Sequence, residues 1–261
     1  MIATRPRTTA PQPPAAPTPL EIIDFCAGAG GPTPYIEREV NTRRLASNKP
    51  PINFLLTDLH PHISAWMPLA SRSPTLNFVP QPVDASAPFR AVISQRGEKR
   101  VVRTFYLSFH HFDDAAARAI LKSTLETSDA FAIIELMDRR LFSLLLLLLE
   151  PILIYLVALA WFGGDWVYLF FTFCVPAMPI LMGWDGIVSL LRARTFDEIV
   201  ELADQAMGWR GQGKTGYGTW LSTDGGNRVV GVEREGWVLE SGRRLHTWPL
   251  GYAQYVTGRR I

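Results

Sequence analysis

The chain has only two cysteines in 261 residues, Cys26 and Cys174. That excludes a disulfide framework and a cysteine-built zinc site, and it fits a reducing compartment. Net charge is almost absent, +2 at pH 7, and lysine and arginine form no long block. Nucleic acid is therefore set aside as a partner. There is no internal repeat. Residues 1–19 contain no acid but hold six prolines, with Arg5 and Arg7 among threonines and alanines. Such a segment cannot hold a helix, so it reads as a disordered tail, with a transit peptide as the alternative.

Apolar residues are in excess instead, at 48%, and the excess is concentrated. Before it comes a regular alternation of strand and helix. Glu21 to Phe25 reads as a buried strand running into the glycine turn Cys26-Ala27-Gly28-Ala29-Gly30-Gly31-Pro32. A helix follows over 33–47, with Thr33 as cap and Pro34 as its first residue. Glycine is needed where backbone approaches a ligand closely or takes positive φ, and a helix N-terminus behind it offers free N–H groups. A second strand, 52–58, ends on Asp58, a helix spans 62–69, and a third strand, 76–79, precedes Val83-Asp84-Ala85. A fourth strand, 101–108, delivers Ser108-Phe109-His110-His111-Phe112-Asp113, where Asp113 caps a helix with apolar positions Ala116, Ile120, Leu121 and Leu125. A fifth, 130–135, ends on Glu135. This order predicts an α/β fold, a doubly wound parallel sheet covered on both faces, with ligands along the carboxyl edge of its strands.

The pattern then breaks. Leu141–Phe162 is interrupted only by Ser143, Glu150 and Pro151, and Trp166–Gly183 is a second apolar run broken by Pro176 and Pro179. At about 1.5 Å per helical residue, each is near the length that crosses a hydrocarbon layer of roughly 30 Å. Trp161, Trp166 and Trp184 stand at the run ends, as in an aromatic belt. Arg139 and Arg140 before the pair, and Arg192 and Arg194 after it, place both outer ends and the α/β domain on the cytosolic side, with Gly163-Gly164-Asp165 as the far turn. A charge at Glu150 costs a few kcal/mol inside a bilayer, so that residue is protonated, buried against the partner helix or beside a polar cavity. Three arrangements remain open: a spanning hairpin, a pair lying in the membrane interface, and a protein-buried or dimerising lid. Beyond it, Thr195-Phe196-Asp197-Glu198 forms a capping box for a helix to about Met207. Strands are predicted at 229–232, 237–240 and 252–256, while 211–227 carries little pattern. The domains read as a tail, 1–19; a cofactor-binding core, 20–140; the apolar hairpin, 141–184; and a segment completing the core, 185–261.

These pieces resemble the class I S-adenosylmethionine-dependent methyltransferases. Asp24-Phe25-Cys26-Ala27-Gly28-Ala29-Gly30 is similar to that family's first motif, in which a glycine loop surrounds the methionine part of the cofactor; Cys26 stands where the family usually has its first glycine. Asp58 matches the ribose-binding acid, 28 residues beyond Gly30, a longer spacing than usual. Val83-Asp84-Ala85 resembles the motif whose acid holds the adenine amino group, and Ser108 to Asp113 the motif after strand four of small-molecule methyltransferases. The resemblance covers residues 20–140 and, more weakly, 185–261. More narrowly, the whole looks like uncharacterised fungal and bacterial proteins of this class that carry an apolar pair before Trp184-Asp185-Gly186-Ile187-Val188-Ser189. It implies S-adenosylmethionine as cofactor, held by Asp24, Cys26, Gly28, Gly30, Asp58, Asp84 and Ser108. His110, His111 and Glu135 then become candidates for proton removal and substrate binding, with no metal. The acceptor is expected to be a small apolar molecule or a lipid, reached from a membrane; oligomeric state is left open.

The sequence also weighs against rivals. A nicotinamide G-x-G-x-x-G would put glycine where Thr33 stands. Neither cysteine follows a proline, as the nucleophile of a DNA cytosine methyltransferase does. Gly208 to Thr215 matches the letters of a P-loop, but no strand feeds it. Two further readings stay open, a catalytically degenerate cofactor-binding membrane module and a non-methylating enzyme on the same fold.

Overall fold

The structure, a computed structural model, describes residues 18–87, 99–209, 220–224, 227–247 and 251–261. The tail 1–17 and the P-loop-like letters 210–215 lie outside them; Gly208, at φ 66°, closes a helix C-terminus. Five strands, β1 Leu20–Phe25, β2 Asn53–Thr57, β3 Leu76–Phe78, β4 Arg100–Tyr106 and β5 Ala130–Glu135, pair in parallel in the order β3-β2-β1-β4-β5. The C-terminal strand β9, Gly251–Arg260, lies antiparallel against β5. An antiparallel meander of β8 (Trp237–Thr247), β7 (Asn227–Arg234) and β6 (Trp220–Asp224) extends the sheet beyond it. Strands β7, β8 and β9 contain the three predicted segments. β6 overturns part of the patternless reading of 211–227.

Alternation along β1 builds the two layers. Ile23 and Phe25 join a core with Phe105, Ile120 and Leu121, while Leu20 and Ile22 pack against a second cluster around Phe54, Leu56 and Trp66. The first cluster takes α3, Asp114–Thr127, and α7, Phe196–Met207; the second takes α1, Thr33–Ala46, and α2, Ile63–Ala70. Helix α3 is capped by Asp113, which accepts from the Ala116 N–H, and α7 opens with the predicted capping box of Thr195 and Glu198.

Helix α1 departs from expectation. Its cap is Pro32, not Thr33, whose hydroxyl donates instead to the Asp24 carboxylate. The buried face is a polar stripe of Thr33, Glu37 and Asn41 at four-residue spacing. Asn41 donates to the Ile52 carbonyl at 3.0 Å and accepts from its N–H at 2.7 Å, so hydrogen bonds dock this helix beside β2.

From β5 the chain enters α4, Leu141–Phe162, with the boundaries expected. The second apolar run is not one helix: it breaks into α5, Trp166–Phe173, and α6, Ala177–Arg192, bent by 70°. Pro176 causes the break, since proline has no N–H to continue the ladder. Among the described residues one helix, Ser143–Phe162, is long and apolar enough to cross a membrane; α5 with α6 qualifies only as one broken span. In the most apolar window of α4 only 22% of residues are buried, so it is not a core helix. The hairpin root is fastened by Asp138, which accepts from the Ser143 hydroxyl at 2.7 Å and pairs with Arg243 at 2.6 Å.

Candidate functional site

At the end of β1 the glycine turn reverses the chain. Cys26, Gly28, Gly30 and Gly31 all take positive φ, with Gly30 at 112° and its Cα facing Leu69, so a Cβ there would lie 2.7 Å from Leu69 Cδ1. Only glycine fits that position. The Trp66 indole donates to the Gly28 carbonyl at 2.9 Å, pinning the turn from α2. Around Gly28 the surface is open: a Cβ there would meet nothing within 4 Å.

The turn and the two following acids come together. Asp58, just past β2, accepts from the Gly28 N–H and from the His60 N–H, both at 2.8 Å. The Asp58 carbonyl accepts from the Val83 N–H at 2.8 Å, which sets Asp84 beside it. The Asp84 carboxylate accepts from the Ser86 N–H and hydroxyl at 2.8 and 2.7 Å. Cys26 sits amid these groups: burial, then the charges of Asp58, Asp24 and Asp84, push its thiol up to about 12. It is an unreactive thiol that closes the turn. Asp24 is 1% exposed, and burial raises its carboxyl to about 7, opposed by the Thr33 hydrogen bond and reinforced by Asp58. It ties strand to helix. Ser108 is also buried, and its hydroxyl has no hydrogen-bond partner.

A second group sits at the ends of β4 and β5. Phe109–His111 form a single 3-10 turn. The Glu135 carboxylate accepts from the His110 Nδ1–H at 2.8 Å and from its backbone N–H at 3.2 Å. His111 packs its ring 4.2 Å from that of His110, is exposed, and is held below the ordinary histidine range by partial desolvation and by its neighbour. The structure thus separates two histidines that the sequence left equivalent.

Helix α6 and the residues after it grip this turn. The Arg192 guanidinium donates to the His111 carbonyl, and that of Arg194 to the carbonyls of Phe109 and Phe112. Ser189 Oγ lies 3.1 Å from His110 Nε2. Between hairpin and core is a cavity of about 440 Å³, lined by His110, His111, Glu135, Glu150, Met182 and Ser189 among others. Glu150 is half-buried, lies against α6 at Gly186 and lines this cavity. Sequence reading missed Ser189, Arg192 and Arg194 as site residues, because serine and arginine at a helix end carry no pattern of their own. Thr33 and Trp66 were missed likewise.

Strand order, glycine turn and acid placement agree. The sheet is the doubly wound α/β arrangement expected from the sequence, closed by an antiparallel strand. No family model and no curated protein matches the chain. Solved structures to which the chain is similar have low identity and TM-scores below 0.5. LepI in complex with SAM is 16% identical over 94% of this chain and 44% of its own, with a TM-score of 0.43. Human N-acetylserotonin methyltransferase in complex with SAM is 11% identical over 92% of this chain and 47% of its own, TM-score 0.40. A SAM-dependent methyltransferase from Anabaena variabilis is 13% identical over 93% of this chain and 77% of its own, TM-score 0.41. The chain spans less than half the length of the first two.

Proposed function

We propose that this protein is a membrane-attached S-adenosylmethionine-dependent methyltransferase acting on a small, apolar or lipid-like acceptor. The observation that carries the reading is the convergence at one sheet edge of the open turn at Gly28, the Asp58 carboxylate bonded to it, and Asp84 fixed alongside. That donor set fits the cofactor: positive-φ glycines allow close approach to the methionine portion, Asp58 would accept from ribose hydroxyls, and Asp84 from the adenine amino group.

The cofactor supplies an activated methyl group on a sulfonium. The protein must align an acceptor with it and, where the acceptor atom carries a proton, remove that proton. His110 is suited to this role. Glu135 fixes its ring and keeps the proton on Nδ1, so Nε2 is left as the basic atom facing the cavity. His111, exposed and held neutral, would shape the entrance. The apolar hairpin forms the other wall, so an acceptor dissolved in a bilayer would reach the site without crossing water. Its exposed leucines and tryptophans support attachment.

Calorimetry with S-adenosylmethionine, followed by transfer of labelled methyl to detergent-dispersed membrane lipids, tests the reading. Binding with turnover is expected. Binding without turnover on any acceptor favours the catalytically degenerate module, and no binding removes both.

A further inference from the structure

Ser189 lies near the end of α6, and the methyl-transfer reading gives its hydroxyl no role, yet its Oγ is 3.1 Å from His110 Nε2. A carboxylate can only accept hydrogen bonds. With Glu135 2.8 Å from Nδ1, a neutral His110 therefore carries its proton on Nδ1 and offers Nε2 as an acceptor. Ser189 is then the donor. All three side chains line the same cavity between hairpin and core, and the serine hydroxyl holds the atom through which His110 would take a proton.

We propose that Ser189 is a relay through which the acceptor's proton reaches His110, and that the acceptor is accordingly a hydroxyl-bearing amphiphile. This rests on the methyl-transfer reading. As the acceptor oxygen bonds to the methyl carbon, the carbon–sulfur bond breaks and its electron pair stays on sulfur. The acceptor's O–H proton passes to Ser189 Oγ while the serine's own proton passes to Nε2. Ser189 ends as a hydroxyl, and the positive charge lost from sulfur resides on the His110 imidazolium, against Glu135.

Two other roles fit less well. A nucleophilic serine needs free N–H groups to stabilise an oxyanion, whereas Ser189 sits in the last turns of α6, with the backbone committed to the helix and the Ala193 N–H on its own carbonyl. A plain latch is redundant, because Arg192 and Arg194 already hold the histidine turn through three carbonyls.

The test uses the near-isosteric pair Ser189→Thr and Ser189→Val in the full chain, with methyl-labelled S-adenosylmethionine and detergent-dispersed membrane lipid extract. The valine variant should lose about tenfold to a hundredfold in kcat, with KM and cofactor affinity unchanged, while threonine restores the rate to within a few-fold. In mixtures of light and heavy water the rate should curve for the natural chain, as two protons in flight require, and become linear for valine. Equal rates for threonine and valine, a faster valine variant, or labelling of Ser189 by a fluorophosphonate would each overturn the relay. A chain that binds cofactor but transfers nothing fails the transferase reading instead. The relay is then judged by nitrogen spectra of labelled histidine, where a proton on Nε2, or an Nε2 signal unmoved by Ser189→Val, overturns it.

Discussion

Glu135 holds His110 at two points, taking its Nδ1–H at 2.8 Å and its backbone N–H at 3.2 Å. Both carboxylate oxygens are used, so ring orientation and tautomer are set by one side chain on the neighbouring strand. Glu135→Gln keeps the shape but replaces one acceptor with a donor. In one amide orientation the ring keeps its acceptor but the His110 backbone N–H loses its own; in the other the NH2 meets Nδ1 and the proton is driven onto Nε2, where it blocks base action. A fall of about a hundredfold in kcat is expected, with S-adenosylmethionine affinity by calorimetry unchanged. A similar loss in cofactor affinity would show that Glu135 serves the cofactor and not the base.

Asp58 and Asp84 differ in what their removal should do. Asp58 organises the glycine turn through Gly28 as well as offering itself to a ribose, whereas among the described residues the Asp84 carboxylate is bonded within its own short turn. Asp58→Ala should weaken cofactor binding about a hundredfold and also lower the melting temperature of the free protein. Asp84→Ala should weaken binding by about tenfold and leave that temperature nearly unchanged. Each hydrogen bond to a charged group is worth about 1.5–3 kcal/mol, which sets the scale. Equal, negligible effects on binding would remove the shared adenosyl site.

Asp24 gives a stability signature without any ligand. Its carboxyl loses a proton near pH 3.8 when unfolded but only near 7 when folded, chiefly because burial disfavours the charge. Between those values the folded state binds more protons, so stability falls as pH rises from about 4 to about 7 and stays lower above that. At 1.36 kcal/mol per pKa unit the cost by pH 8 is at most roughly 4 kcal/mol. Asp24→Asn should remove it: urea midpoints of the two proteins should nearly coincide at pH 4 and separate at pH 8 with the variant more stable. A variant less stable at pH 8 would mean that the charged carboxylate stabilises the turn.

The sheet was legible in the sequence because β2 and β5 are short, mostly apolar runs closed by polar or turn residues, and the glycine turn after Phe25 marks the end of β1. Helices α3 and α7 were legible from their caps. Helix α1 was misread at its start, since Thr33 has the chemistry of a cap but spends its hydroxyl on Asp24, nine residues back. Its polar buried stripe gives no apolar periodicity to find. Contacts between distant segments were harder still. Ser189 meets His110 across 79 residues, and only the path of the broken second apolar run brings them together.

Membrane attachment can be tested on α4, where Leu148, Ile152, Leu156 and Leu159 recur at helical spacing and are 58–66% exposed. These side chains support nothing inside the protein, so changing two of them leaves the core intact. A lysine near the centre of a membrane helix costs about 3 kcal/mol on insertion scales. The double variant Ile152→Lys, Leu156→Lys should therefore shift the chain from vesicles toward the aqueous fraction in flotation, with the cofactor affinity of the core retained. A natural chain that stays out of the vesicles, or a double variant that floats equally well, would leave the hairpin as a lid covered by protein and remove the bilayer as the acceptor's route to His110.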